Sequence, residues 1–169
     1  MPAARPAREL VTVTHGSPLG PILLAASAQG LAGLWFEGQR HGPQDTSGWR
    51  AAPAHPVLIE ACRQLDAYFA SERDRFDLPL DLSGGTDFQS RVWQALRSIP
   101  AGITESYTAL ATRVGAPRAV RAVGAAVGRN PVSIVVPCHR VVGAAGALTG
   151  YAGGLTRKTA LLQLEGAIA

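Results

Sequence analysis

Cysteine is scarce: the 169 residues hold two, Cys62 and Cys138. Two isolated thiols build neither a disulfide framework nor a zinc ligand set, which fits a reducing compartment, and no metal is expected. Long apolar runs are missing too. No run approaches the ~18 residues of a membrane span, and Met1 to Leu10 is rich in Pro, Ala and Arg without a signal-peptide core. A cytoplasmic protein with no membrane association is expected. Charged residues make up only 17% of the chain against 47% hydrophobic, which excludes disorder and describes one globular domain or two small ones. Acidic residues run short in one half alone. Met1 to Ser83 carries seven Arg and nine Asp or Glu, a net −2, whereas Gly84 onward carries nine Arg or Lys and three Asp or Glu, a net +6. That asymmetry points the C-terminal half toward a polyanion, with nucleic acid the first candidate.

Three short apolar segments, Leu10–Thr14, Ile22–Ala26 and Leu31–Phe36, are separated by turn residues and predict an antiparallel meander. Gln39 to Pro56 has no periodicity and is expected to be a loop. Val57, Leu58, Ala61, Cys62, Leu65, Tyr68 and Phe69 recur at helical spacing, so Cys62 falls on a core stripe. Phe76–Leu82 alternates as an edge strand would. Ser83-Gly84-Gly85 then marks the domain boundary, giving 1–83 and 84–169. Thr86 and Gln89 have the form of a capping box ahead of the stripe Phe88, Val92, Ala95, Leu96 and Ile99. Ser106 can cap a second helix, Tyr107–Val114, and Pro117 suits the first turn of a third that runs to about Gly128. The two helices across Gly115 form a helix-turn-helix pattern.

The third helix is divided by charge. Arg118, Arg121, Ala122, Ala125 and Arg129 fall on one side, and Val120, Val123 and Val127 on the other. Alanines between arginines leave the face flat enough for a narrow groove, and Asn, Gln and Glu side chains that would read major-groove bases are missing from it. Salt-sensitive DNA binding with little sequence preference follows, through phosphate contacts. A solvated basic face is the alternative.

Shortly after this helix stand nine residues, Ile134-Val135-Val136-Pro137-Cys138-His139-Arg140-Val141-Val142. A thiol, an imidazole and a guanidinium stand between β-branched runs, where strand is expected and an unpaired charge is costly. Pro137 interrupts any ladder and leaves Cys138 at a rigid bend. Either Cys138 is a positioned nucleophile with His139 as its base, or it is a core thiol followed by a surface pair. Glu165 ends the last periodic helix (Ala160, Leu161, Leu164), where the dipole disfavours an acid; it is either exposed there or paired. The Gly-rich stretch Gly143–Gly154 is not a phosphate loop, because Lys158 does not directly follow a glycine.

In order and spacing, Thr86-Asp87-Phe88-Gln89 with Val92-Trp93, Ile99-Pro100-Ala101-Gly102, Ser106-Tyr107, Arg121-Ala122-Val123-Gly124, Asn130-Pro131, Pro137-Cys138-His139-Arg140-Val141 and Gly150-Tyr151-Ala152-Gly153-Gly154 together resemble the O6-alkylguanine-DNA alkyltransferases. The resemblance covers most of Gly85 to Glu165. It implies an α+β fold: a small antiparallel sheet with a helix (ribonuclease H-like), then a mostly helical, winged-helix-like domain bearing the active cysteine. It implies no cofactor, and as partner a duplex DNA carrying O6-alkylguanine, bound through the minor groove by a monomer, with cooperativity on DNA left open. O4-methylthymine is a further candidate substrate.

By the same resemblance Cys138 accepts the alkyl group irreversibly, His139 acts through a water as base, and Glu165 orients it. Asn130 organises the turn between helix and site, Arg121 fills the stack behind the flipped base, and Tyr107 helps rotate the nucleotide and protonates the departing guanine. Arg118, Ala119, Ala122, Ala125, Arg129, Ser106 and Thr86 are counted with the DNA-binding residues. Pro137, Leu148, Tyr151, Ala152 and Gly153 are counted with the pocket. Ala152 stands where some relatives carry Ser, so backbone donors must serve there. The N-terminal half lacks the Cys/His set that gives certain relatives a zinc. Two rival functions remain at this level: a module that binds alkylated DNA without reacting, against which Cys138 argues, and a Cys-His hydrolase, which leaves the arginine-alanine helix unexplained.

Overall fold

The structure, a computed structural model, describes residues 8–43 and 45–169. Strands β1 (Val11–His15), β2 (Ile22–Ser27) and β3 (Gly30–Phe36) form the expected antiparallel meander, pairing Val13 with Leu24 and Leu24 with Leu34. The expected loop after β3 holds a two-residue strand β4 (Arg50–Ala51), which runs parallel to β1 and extends the sheet to the order β3-β2-β1-β4. Alternation gives the sheet one face for the core, with Ile22, Leu24, Leu31, Leu34 and Phe36 against Leu58, Ala61, Leu65 and Tyr68 of helix α1 (Pro56–Phe69). Cys62 packs on this core. Among the described residues, the opposite face is covered by a small cluster in which Trp35 stacks on Trp49 at 5.7 Å.

Phe76–Leu82 is not a strand. It touches the sheet at one bridge, Leu31 with Leu80, where Leu31 N–H donates to the Pro79 carbonyl and Asp81 N–H to that of Leu31. Pro79 has no donor to continue the ladder. Gly30, at φ +148°, permits the approach, because a Cβ there would lie 2.5 Å from the Pro79 oxygen.

The C-terminal half comprises α2 (Asp87–Leu96), β5 (Glu105–Ser106), α3 (Tyr107–Arg113), α4 (Val120–Gly128), β6 (Val141–Val142) and α5 (Leu155–Leu164). The Thr86–Gln89 capping box forms in full, and the Ser106 hydroxyl accepts from Ala109 N–H at 3.0 Å. α2 stops at Leu96, so Ile99 reaches the core from the turn that follows. α4 starts at Val120, not near Pro117, because residues 117–118 form a turn closed by Ala119 N–H on the Ala116 carbonyl. β5 and β6 pair in parallel, and Trp93 donates its indole N–H to Ala126 O at 2.8 Å, fixing α2 against α4. One apolar core runs through both halves, from the sheet to Val92, Leu110, Val123 and Leu161. No helix among the described residues is long and apolar enough to cross a membrane.

Candidate active site

The strand expected of the β-branched residues ahead of Pro137 is replaced by a tight loop over 133–136. The buried Asn130 amide, just beyond α4, accepts from Val132 N–H at 3.0 Å and donates to Val136 O at 2.7 Å. This clamp overrides the strand preference of the β-branched run and holds Ile134 at φ +70°. One link to the sheet survives, between Leu34 and Val132. The loop delivers the chain through Pro137 into a single 3-10 turn, Cys138–Arg140, with all three side chains buried.

The carboxylate of Glu165 gathers this turn. His139 Nε2 lies 2.8 Å from Oε2, while Arg140 donates from Nε to Oε1 at 2.9 Å and from Nη2 to Oε2 at 2.8 Å. Tyr68 reaches across from α1 to donate its hydroxyl to Oε2 at 2.6 Å. The Glu165 side chain is 1% exposed, so its place at the end of α5 is accounted for by pairing. Burial pushes its pKa up, but the hydrogen bonds from Arg140 and His139 outweigh that and hold it at about 2. Arg140 is the residue that does most to keep this acid ionised, and it also donates to the Ile99 carbonyl.

Burial lowers the His139 pKa more than the Glu165 carboxylate raises it, which favours the uncharged imidazole. With Nε2 committed to Glu165, Nδ1 is the nitrogen left for a proton; it is buried and makes no hydrogen bond among the described residues. Burial likewise pushes the Cys138 thiol up, opposed by Asn130 and by the charge of Lys158. Lys158, fully buried, donates to the carbonyls of Val141 (2.6 Å), Gly150 (3.1 Å) and Thr149 (3.2 Å), and burial brings its pKa down to about 8. The sequence reading gave Lys158 no role. Its position on one stripe with Leu161 and Leu162 was the available signal, since a cation on an apolar face requires partners.

Cys138 opens into a cleft of about 170 Å³ bordered by Tyr107, Gly124, Val127, Gly128, Tyr151 and Ala152. The inner face of α4 thus floors the cleft, and its outer face exposes Arg121, Ala122, Ala125 and Arg129, with Arg118 and the half-buried Ala119 in the preceding turn. The Tyr107 hydroxyl lies 3.4 Å from Thr149 O, and burial raises its pKa. Leu148, Gly153 and Pro137 do not border the cleft: Gly153 packs behind Tyr151, and Pro137 lines a separate cavity with Ile99 and Ile134. The Thr86 and Ser106 hydroxyls are engaged as helix caps. Arg40 and His41, from the turn after β3, border the cleft as well; nothing in that aperiodic stretch pointed to them.

A buried thiol beside an imidazole held by Glu165, opening next to a cationic helix-turn-helix face, is the arrangement expected of a thiol-dependent protein that acts on DNA. The descriptions of two family models agree: 6-O-methylguanine DNA methyltransferase, ribonuclease-like domain, over residues 11–82, and the DNA binding domain of the same family over 87–167. The methylated-DNA–protein-cysteine methyltransferase of Mycobacterium leprae is 53% identical over 149 residues, 88% of each chain. That of Methanosarcina acetivorans is 49% identical, covering 89% of this chain and 94% of its own. Among solved structures, Mycobacterium tuberculosis OGT in complex with DNA matches with a TM-score of 0.83 at 48% identity, covering 94% of this chain and 93% of that one. The chain belongs to the methylated-DNA–protein-cysteine methyltransferase family and is an enzyme of that class.

Proposed function

We propose that the protein removes the alkyl group from O6-alkylguanine in duplex DNA, chiefly O6-methylguanine, in a single irreversible transfer to Cys138 Sγ. The observation that carries this is the shared helix: α4 floors the cleft at Cys138 while exposing a flat arginine-alanine face. A paired base cannot reach the thiol, so the nucleotide is turned out of the stack from the minor groove at a cost of a few kcal/mol, offset by Arg121 entering the gap. Cys138 gives its proton to His139 through a water, Glu165 stabilises the resulting imidazolium, and the thiolate attacks the alkyl carbon. The carbon–oxygen bond breaks as the carbon–sulfur bond forms. Guanine leaves neutral with a proton from Tyr107, which solvent restores. The thioether has no route back to a thiol, so each molecule acts once. O4-methylthymine, which presents a similar alkoxy carbon, is a second substrate on this reading. The chain acts as a cytoplasmic monomer, with 1–83 and 84–169 as its domains.

Incubation with duplex DNA carrying O6-methylguanine should add one methyl mass to the Cys138 peptide, reaching and not exceeding one per protein. Repeated turnover, or an unmodified Cys138, would refute the transfer. Tight lesion binding without transfer would instead establish a non-catalytic module.

A further inference from the structure

The N-terminal half touches the transfer site at points that its sheet-and-helix architecture does not require. On the cleft side, Arg40 N–H donates to Ala152 O at 2.8 Å, and Arg40 and His41 border the cleft that holds Cys138. Behind that wall lies Arg157 of α5. Its guanidinium donates to three main-chain carbonyls, Leu19 at 3.0 Å, Gly153 at 3.2 Å and Glu37 at 3.2 Å, and its Cζ sits 4.7 Å from the centre of the Phe36 ring. Gly153 is pressed into the same joint, since a Cβ there would lie 3.1 Å from Phe36 and 2.7 Å from the Tyr151 ring. The planar fork of arginine suits this place, because a lysine ammonium could not span carbonyls from three segments.

We propose that the N-terminal half is a working part of the pocket: the turn at 37–41 forms its outer wall and holds residues 150–153 in the shape that receives the base, with Arg157 as the positioning residue that joins the two. This rests on the alkyl-transfer reading for the identity of the base. The coupling itself does not depend on it. Loops are mobile unless their backbone groups are tied down, and the pocket loop is tied at Ala152 and Gly153 to a neighbour that folds around its own sheet. Arg157 acts on the fit of the substrate, not on the thiol.

The test is Arg157→Met in the full chain, which keeps the packing over Phe36 and removes the donors. With free O6-benzylguanine as probe, the concentration for half-maximal alkylation of Cys138 should rise at least tenfold while the limiting rate stays within about twofold. Reaction of Cys138 with iodoacetamide and affinity for undamaged duplex DNA should be unchanged. Hydrogen exchange gives the second readout: the Arg40 amide should lose protection while amides in α2 and α4 keep theirs. An unchanged half-saturation, a loss confined to the limiting rate, or an Arg40 amide as protected as in the wild type would overturn the proposal. A wild-type protein inert to both O6-benzylguanine and lesion DNA would count against the alkyl-transfer reading, and the exchange result would still decide the coupling.

Discussion

Glu165→Gln is the sharpest perturbation available, because one carboxylate serves His139, Arg140 and Tyr68 at 2.6–2.9 Å with 1% of its side chain exposed. The amide is nearly isosteric, so little volume changes. What changes is charge and acceptor capacity: one carboxylate oxygen becomes an NH₂ donor that cannot accept from a guanidinium or a phenol. The Arg140 charge is then left buried without its counter-ion, a situation that costs about 3–5 kcal/mol. For a chain of this size that corresponds to a fall in Tm of roughly 6–20 °C, at about 2–4 °C per kcal/mol. Chemistry should suffer separately. The His139 pKa, already lowered by burial, loses the contribution of Glu165 that opposed the lowering. A weaker and less oriented base should slow alkyl transfer by about 10²-fold or more. Urea and thermal melts give the first number, and single-turnover transfer from lesion DNA well below the variant's Tm gives the second. A variant within about 1 kcal/mol of wild type, transferring at the wild-type rate, would refute the account of Glu165 as hub.

Stability should also fall in acid: because the Glu165 pKa is depressed from 4.5 to about 2, the pair's contribution is present above pH 4.5 and lost as pH drops toward 2, which acid titration of wild type against Glu165→Gln would resolve. Asn130→Ala orphans Val132 N–H and Val136 O, and should cost about 2–4 kcal/mol in a denaturant melt, with transfer reduced further because the 3-10 turn loses its anchor. Arg121→Ala should weaken repair of a paired lesion far more than reaction with free O6-benzylguanine, which needs no flipping; equal losses in the two rate measurements would refute a role in the vacated stack. Lys158→Met should move the pH midpoint of Cys138 alkylation by iodoacetamide upward, since the ammonium opposes the burial that already raises the thiol.

The elements that sequence alone revealed are those whose cause is local. The Thr86–Gln89 box, the Ser106 cap and the turn residues between β1, β2 and β3 act within a few positions, and the structure forms them all. Failures occur where a distant or side-chain partner decides. Val132–Val136 has strand composition, yet two hydrogen bonds from Asn130 turn it into a loop. Phe76–Leu82 alternates correctly, yet Pro79 limits it to one bridge. Within the site, the basic face of α4 was readable from residue type and spacing, whereas residue type left Cys138 and His139 between a nucleophile with its base and a core thiol with a surface pair, and only the family resemblance pointed to the first. The partners of Arg140 were not, because Glu165 arrives 25 residues later and Ile99 lies 41 residues earlier. Tyr68 had the signature of a core aromatic, and its hydroxyl finds Glu165 only through the packing of α1 against the C-terminal half.

These long-range partners also explain how so inert a thiol can be put to use. Burial disfavours the thiolate of Cys138 and the imidazolium of His139, so neither ion should form alone. A proton passing from one to the other leaves the net charge of the cluster unchanged and creates both ions at once, each in the field of a group of opposite sign: Glu165, 2.8 Å from the imidazole, for the imidazolium, and the charge of Lys158 for the thiolate. Loss of the same proton to solvent would produce the thiolate without the stabilised imidazolium. Internal transfer is therefore the cheaper route, and it is most favourable when a bound base shuts bulk solvent out of the cleft, leaving the bridging water, and so strengthens both pairings. Added imidazole or another external base should consequently not accelerate alkylation of Cys138 by O6-benzylguanine in the wild type. It should do so in His139→Ala, where the internal acceptor is gone, and acceleration of the wild type to the same degree would show that solvent, not His139, takes the proton.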